Sequence, residues 1–162
     1  MKKTILAVAL LIGGLVFQTA SAQLRVRLNV NISSQPVWGP SGYDHVEYYY
    51  MPDIDAFYYV PQRQYIYQQR GRWIFSTSVP YRFHDYDFNS GYKVVVNEPR
   101  PYYHAEIYRT KYSSYKGNHS QEVIRNSHDP RYFEIKDHPE HSKWRNNGNR
   151  GNNGDHGGHG HH

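Results

Sequence analysis

The sequence predicts a mainly β protein: a small antiparallel meander with one short helix that would make it α+β, followed by a disordered C-terminal tail. Three observations carry that expectation. The stretch YYYMPDIDAFYYVPQRQYIY, residues 48–67, alternates tyrosine clusters with proline turns, and turn signals at intervals of roughly eight to twelve residues mark a meander of short strands. Tyrosine is a strong strand former because its planar ring packs across a pleated surface. From about residue 117 onward the aromatics thin out and His, Asn, Gly and charged residues take over, with Tyr132 alone of the 17 tyrosines beyond that point.

The elements follow in chain order. Met1-Lys2-Lys3 is a short positive region, Thr4 to Phe17 is apolar and uncharged, and Ala20-Ser21-Ala22 offers small residues for cleavage. That layout is a secretory signal over residues 1–22, and its apolar run is shorter than the roughly 20 residues a membrane-spanning helix needs. The expected mature chain starts at Gln23, is exported to the periplasm or beyond the cell, and has no transmembrane segment. Loss of Lys2 and Lys3 lowers the formal net charge of +5 by two. Export, and the lack of a recognition helix or RNA-binding aromatic motif, argue against a nucleic-acid partner. The chain has no cysteine, which excludes disulfides, thiolate metal sites and a lipidated cysteine, so the core alone must hold the fold.

Residues 24–31 read as a first strand, with Leu24, Val26, Leu28 and Val30 alternating with Arg25, Arg27, Asn29 and Asn31. Such period-two alternation puts the aliphatics on one face. Ser33 to Gly42 is a loop punctuated by proline and glycine. Strands are then expected over Val46–Tyr50, Ala56–Val60 and Tyr65–Gln69, with turns opened by Pro52-Asp53 and Pro61-Gln62. Arg70-Gly71-Arg72 makes a tight hairpin into Trp73-Ile74-Phe75. A polar-aromatic connection, Arg82 to Asn89, leads to a strand over Tyr92–Asn97. Pro101 to Tyr115 suits a short helix, since Pro101 fits a first helical turn and Tyr103 and Ile107, or Tyr108 and Tyr112, fall one turn apart. Residues 23–116 thus form an aromatic-rich β domain, and 117–162 a polar, largely disordered His/Asn/Gly tail.

The tyrosines have two uses. In a thin sheet with incompletely covered faces they serve mainly as architecture, each ring buried while its hydroxyl reaches a partner. Alternatively Tyr49, Tyr58, Tyr67 and Trp73, with Arg63, Arg70 and Arg72 beside them, form an exposed platform that stacks on sugar rings or holds a peptide. A contiguous exposed patch supports the second use and burial removes it. For catalysis, His84-Asp85-Tyr86-Asp87 sets an imidazole beside carboxylates, but neighbours on a strand point to opposite faces. Asp53 and Asp55 read as solvated turn residues. With no nucleophile elbow, zinc-protease motif or phosphate loop, the reading is non-enzymatic.

The tail is the place for metal chemistry. His138 and His141 flank Pro139-Glu140, and His156, His159, His161 and His162 fall within the last seven residues. Neutral imidazole is the commonest side-chain ligand for zinc, nickel and copper, and glycine spacers let several rings reach one ion. Gly- and Asn-rich chain cannot offset its ordering entropy, so any such binding is expected to be weak and unselective, and no cofactor is required.

The stretch from Tyr48 to about Gly117 resembles a group of small exported, Tyr-rich bacterial proteins of unknown function. The resemblance rests on Tyr-Tyr-x-Pro-Asp-Ile (Tyr49 to Ile54), on Tyr-Tyr followed by Gln-Tyr-Ile-Tyr (Tyr58 to Tyr67), on Gly-Arg-Trp-Ile (Gly71 to Ile74), and on Tyr-Asp-x-x-Ser-Gly-Tyr-Lys-Val-Val (Tyr86 to Val95). It implies no activity and transfers no site residue. The expectation is therefore an exported envelope protein with a binding or structural role toward an envelope glycan or protein; the alternative is transition-metal sequestration through the tail.

Overall fold

The alternation of ring and turn residues becomes a ladder of antiparallel strands in the computed structural model, which describes residues 30–150. Strands β1 (Tyr48–Met51), β2 (Ala56–Tyr59), β3 (Gln64–Gln69), β4 (Arg72–Ser76) and β5 (Val94–Val96) form one sheet in the order β4-β3-β2-β1-β5. Consecutive strands are neighbours except β5, which returns to pair with β1 through Tyr48↔Val96, Tyr49↔Val95 and Tyr50↔Val94. The β3–β4 hairpin closes at Gln69↔Arg72. Arg70 (φ 49°) and Gly71 (φ 74°) between them are both left-handed, as a two-residue turn matched to strand twist requires. The predicted strand over residues 24–31 lies almost wholly outside the described residues, as do the signal segment and the histidines from His156 onward.

Both faces of the sheet are covered, and this corrects the expectation of a thin, half-open sheet. Tyr49, Met51, Tyr58, Tyr65 and Tyr67 point to one face, where Phe83 and the partly buried Trp38, Tyr86 and Phe88 pack on them. These covering residues come from loops. Tyr48, Tyr50, Phe57, Ile66, Val94 and Val96 point to the other face. There the predicted helix arrives as a 3-10 turn, Pro101–His104, continuing into α1 (Ala105–Lys111) and a second 3-10 turn, Ser113–Tyr115. Its Tyr102, Ala105 and Tyr108 seal the face. With covers on both sides, the successive residues Tyr48, Tyr49, Tyr50 and Met51 are all buried.

The packed body does not stop at residue 116, where the tail was expected to begin. Val123 forms an antiparallel bridge with Pro40, and the amides of Ile124 and Arg125 donate to the carbonyls of Gly39 and Val37 at 2.8 and 2.7 Å. Ile32, Ile124, Tyr132 and Ile135 make a third apolar cluster against Val37. Tyr132 is fully buried, and its hydroxyl accepts the Gly42 amide at 2.6 Å. The physical reason is economy of contact. A few apolar residues spaced through a polar segment suffice once a neighbouring loop supplies the backbone partners. A second helix, α2 (His141–Arg150), follows.

Candidate functional site

The four residues expected to form an aromatic platform do not form one. Tyr49 is fully buried, Tyr58 and Tyr67 are 6% and 8% exposed, and Trp73 is partly buried. The first three belong to the loop-covered face, where Trp38 meets Tyr58 edge-on at 4.9 Å and Phe83 meets Tyr67 edge-on at 5.5 Å. They are core. Sequence could not show this, because the covering residues are remote in the chain.

An aromatic surface does exist, on the other face. Tyr102, itself buried, backs that surface: its ring lies 5.6 Å from Trp73, 5.4 Å from Phe75, 4.8 Å from Tyr103 and 6.5 Å from the buried Tyr48. Tyr48 in turn stacks on Tyr59 at 4.7 Å. Phe75 and Tyr103 are 49% and 60% exposed, so the row runs from the open edge strand β4 across to the end of β1 and β2. Phe75 is placed by the alternation of β4, and Tyr103 by the first turn after Pro101. Arg100 (φ 50°) turns the chain into that helix. The sequence signal that could have found Tyr103 was its place on the outward side of the predicted helix.

The row ends in a cleft of about 450 Å³, lined by Tyr48 and Tyr59 and by His45, Glu47 and the exposed segment Asn97–Arg100. The walls are held from within. Asn97 Oδ1 accepts the Glu47 amide at 2.9 Å, and its Nδ2 donates to the His45 carbonyl at 3.4 Å. His45 Nε2 lies 3.3 Å from Glu47 Oε1, while its Nδ1 is buried with no partner. Glu98 accepts the Tyr108 hydroxyl at 2.8 Å. Burial, and then the bond to Glu98, push the Tyr108 phenol well above its usual range. Burial, then the neighbouring Tyr59 and Tyr102, raise the Tyr48 phenol as well. The cleft therefore combines phenols with carboxylates and a guanidinium: flat rings to stack on, and both hydrogen-bond donors and acceptors at the rim.

The other sequence-predicted residues fall out differently. His84 Nδ1 does reach Asp85 Oδ1, at 3.0 Å, against the expectation that they diverge, because they follow the 3-10 turn Tyr81–Phe83 and not a strand. The pair is almost wholly solvent-exposed. Asp53 and Asp55 are not simply solvated. Asp55, itself left-handed at φ 48°, takes Arg109 Nε on both oxygens at 2.9 and 2.8 Å, and Asp53 Oδ1 takes the Gly117 amide at 2.7 Å. His138 is 4% exposed and uses both ring nitrogens on backbone: Nδ1 accepts the Glu140 amide, and Nε2 faces the Ile124 carbonyl at 3.1 Å. Both of its ring nitrogens are thus engaged by backbone. His141 Nδ1 faces the Phe133 carbonyl at 2.8 Å. Among the described residues no group of three or more His, Cys, Asp or Glu is placed to hold a metal, and no helix is long and apolar enough to cross a membrane.

Compared with known proteins, the chain matches no family model, no curated protein and no solved structure.

Proposed function

We propose that the protein is an exported, non-enzymatic envelope protein that binds glycan through the exposed rings of Phe75 and Tyr103 and the cleft lined by Tyr59, with the buried Tyr102 and Tyr48 packed behind them. The observation that carries the reading is the partition of aromatics. Most rings are spent on the core, yet Phe75 and Tyr103 stay about half exposed beside Tyr102. Large exposed rings contiguous with a polar-rimmed cleft are the usual form of a ligand surface. A sugar offers an apolar ring face for stacking and hydroxyls for Glu47, Asn97 and Arg100 at the rim. The export expected from residues 1–22 supplies the setting, and the resemblance to Tyr-rich exported proteins agrees with it.

The test is sedimentation of the purified chain with insoluble cell-wall glycan, followed by calorimetric titration of soluble oligosaccharides. A double Phe75→Ala, Tyr103→Ala variant is expected to lose binding while keeping its melting temperature, since both side chains are half in water. The Tyr81→Ala variant, at a side chain 93% exposed and away from the row, is the control. Retained binding in the double variant would remove this reading. Binding of an envelope protein but no glycan would reassign the surface to a protein partner.

A second reading, transition-metal binding, rests on the density of His156, His159, His161 and His162 in the sequence. Zinc, nickel or copper titrated into the full chain and into one ending at residue 150 tests it. Equal uptake, or none, would sink it.

A further inference from the structure

The sheet has two edges, and they are treated differently. At the β5 edge the Gln121 carboxamide does what a neighbouring strand would do, accepting the Lys93 amide and donating to the Lys93 carbonyl, each at 2.9 Å. At the β4 edge nothing among the described residues plays that part. The two-residue turn at Arg70-Gly71 makes Gln69↔Arg72 a hydrogen-bonded pair, and such pairs recur at every second position, Tyr67↔Ile74 and Tyr65↔Ser76. The amides and carbonyls of Trp73 and Phe75 therefore point away from β3. β4 is the last strand in the sheet, and among the described residues no loop backbone bonds to either of the two.

Edge strands are commonly blunted by a charge, a proline or a bulge inside the strand. Between Arg72 and Ser76 this one reads Trp-Ile-Phe, its register is unbroken, and Phe75 is 49% exposed. We infer that β4 pairs with β4 of a second copy of the chain, antiparallel across a twofold axis at Ile74, so that the two five-stranded sheets join into one. A twofold axis requires a surface that complements itself, and this strand does. Centred on Ile74, the pairing sets Trp73 opposite the partner's Phe75, and the outward amides and carbonyls of both residues are all bonded. On the helix-covered face the two rings meet crosswise, as aromatic pairs favour in antiparallel strands.

Charge selects both the occupant and the register. One end of the strand is basic, with Arg70 and Arg72 exposed. The other end is uncharged, and there the Ser76 hydroxyl and the Ser78 carbonyl stand in solvent as hydrogen-bond acceptors. The antiparallel pairing lays each basic end along the partner's serine end, with Arg72 opposite the partner's Ser76. An axis at Trp73 would instead bring the two Arg72 side chains to diagonal positions, where like charges repel. An axis at Phe75 would set Trp73 against Thr77, beyond the end of β4. None of the residues lining the 450 Å³ cleft lies in β4, so the pairing leaves that cleft open and does not rest on glycan binding.

The chain has no cysteine, so a single introduced thiol reports the register. Ile74→Cys is expected to give a disulfide-linked dimer on mild oxidation, because facing residues of a non-hydrogen-bonded pair lie about 4.5 Å apart at Cα, within disulfide range. Arg72→Cys alone should remain a single chain on a non-reducing gel, since its mate lies roughly 13 Å away along the strand. Mixed with Ser76→Cys it should crosslink. Equal crosslinking by Ile74→Cys and Arg72→Cys alone would mean random collision and overturns the pairing. Sedimentation velocity of the unaltered chain decides if Ile74→Cys does not fold: the expected mass is twice that of one chain. Ser76→Glu should tighten the dimer several-fold and Ser76→Arg loosen it several-fold, because residue 76 faces the partner's Arg72. A chain that stays monomeric overturns the inference. If its Trp73 and Phe75 amides are nonetheless protected from hydrogen exchange, the edge belongs to another segment of the same chain.

Discussion

The two faces of the sheet are built from the same strands yet differ in what covers them. One is closed by loops carrying Trp38, Phe83, Tyr86 and Phe88; the other is closed by α1 and its flanking turns. The loop-covered face holds buried polar groups: Gln35, Lys93 and the Tyr49 hydroxyl, which donates to Gln35 Oε1 at 3.0 Å. The helix-covered face is aromatic and apolar in its centre, and its polar groups stand at the rim. The cause is backbone chemistry. A helix satisfies its own amides and carbonyls internally, so it offers a neighbouring face little beyond side chains. A loop has amides and carbonyls left over, and these can seat buried polar atoms, as the carbonyl of Tyr43 does for Gln35 Nε2 at 3.1 Å.

That contrast can be broken by substitution. The largest effect is expected at Phe57, fully buried on the helix-covered face and edge-on to Tyr108 at 5.4 Å. Phe57→Ala should cost about 3–5 kcal/mol in urea denaturation, the range for a large buried ring. A cost under about 1 kcal/mol would mean that the helix is not a firm cover.

Next is alkaline pH, which strikes both faces, since buried phenols stand on each. Burial raises the Tyr65 phenol from its ordinary 10 to about 12, with Tyr58 adding to the shift. A raised folded-state value means that the unfolded chain ionises first. The stabilisation is therefore whole below pH 10 and is lost as pH rises to about 12, where ionisation begins in the fold as well. The loss is about 3 kcal/mol for this residue on the two-unit shift, and Tyr49 and Tyr86 are pushed in the same direction. Denaturation midpoints followed with phenolate absorbance should fall together above pH 10; early phenolate signal without loss of stability would contradict the burial.

A smaller pair of changes compares hydroxyls across the faces. Tyr49→Phe leaves Gln35 Oε1 without its donor and should cost about 1–3 kcal/mol. Tyr50→Phe removes a longer bond, 3.3 Å, to an Asp55 carboxylate that retains Arg109, so about 1 kcal/mol or less is expected. Equal costs in thermal melts would erase the distinction. Smallest of all, Ile107→Ser on the outward side of α1, 56% exposed, should change stability by no more than about 0.5 kcal/mol.

Much of this architecture is legible in the chain. Proline turns, the Arg70-Gly71 hairpin and the Pro101 helix start lie within about a turn's length of the observed elements, because each acts through backbone dihedrals of the residues that carry it. The functional surface was less legible. Tyr49, Tyr58 and Tyr67 have the same local pattern as an exposed row would have, and the rings that bury them come from Trp38 and from residues 83–88. Likewise Val123, Ile124 and Tyr132 look like strays in a polar tail until the loop at 37–42 lies beside them.

Local chemistry therefore determined where the chain extends, turns and coils, since period-two alternation and φ preferences are properties of short segments. Tertiary structure alone decided which tyrosines face water and where the folded body ends. Those outcomes depend on covers drawn from distant sequence, and burial, unlike a dihedral preference, is not a property any residue has by itself.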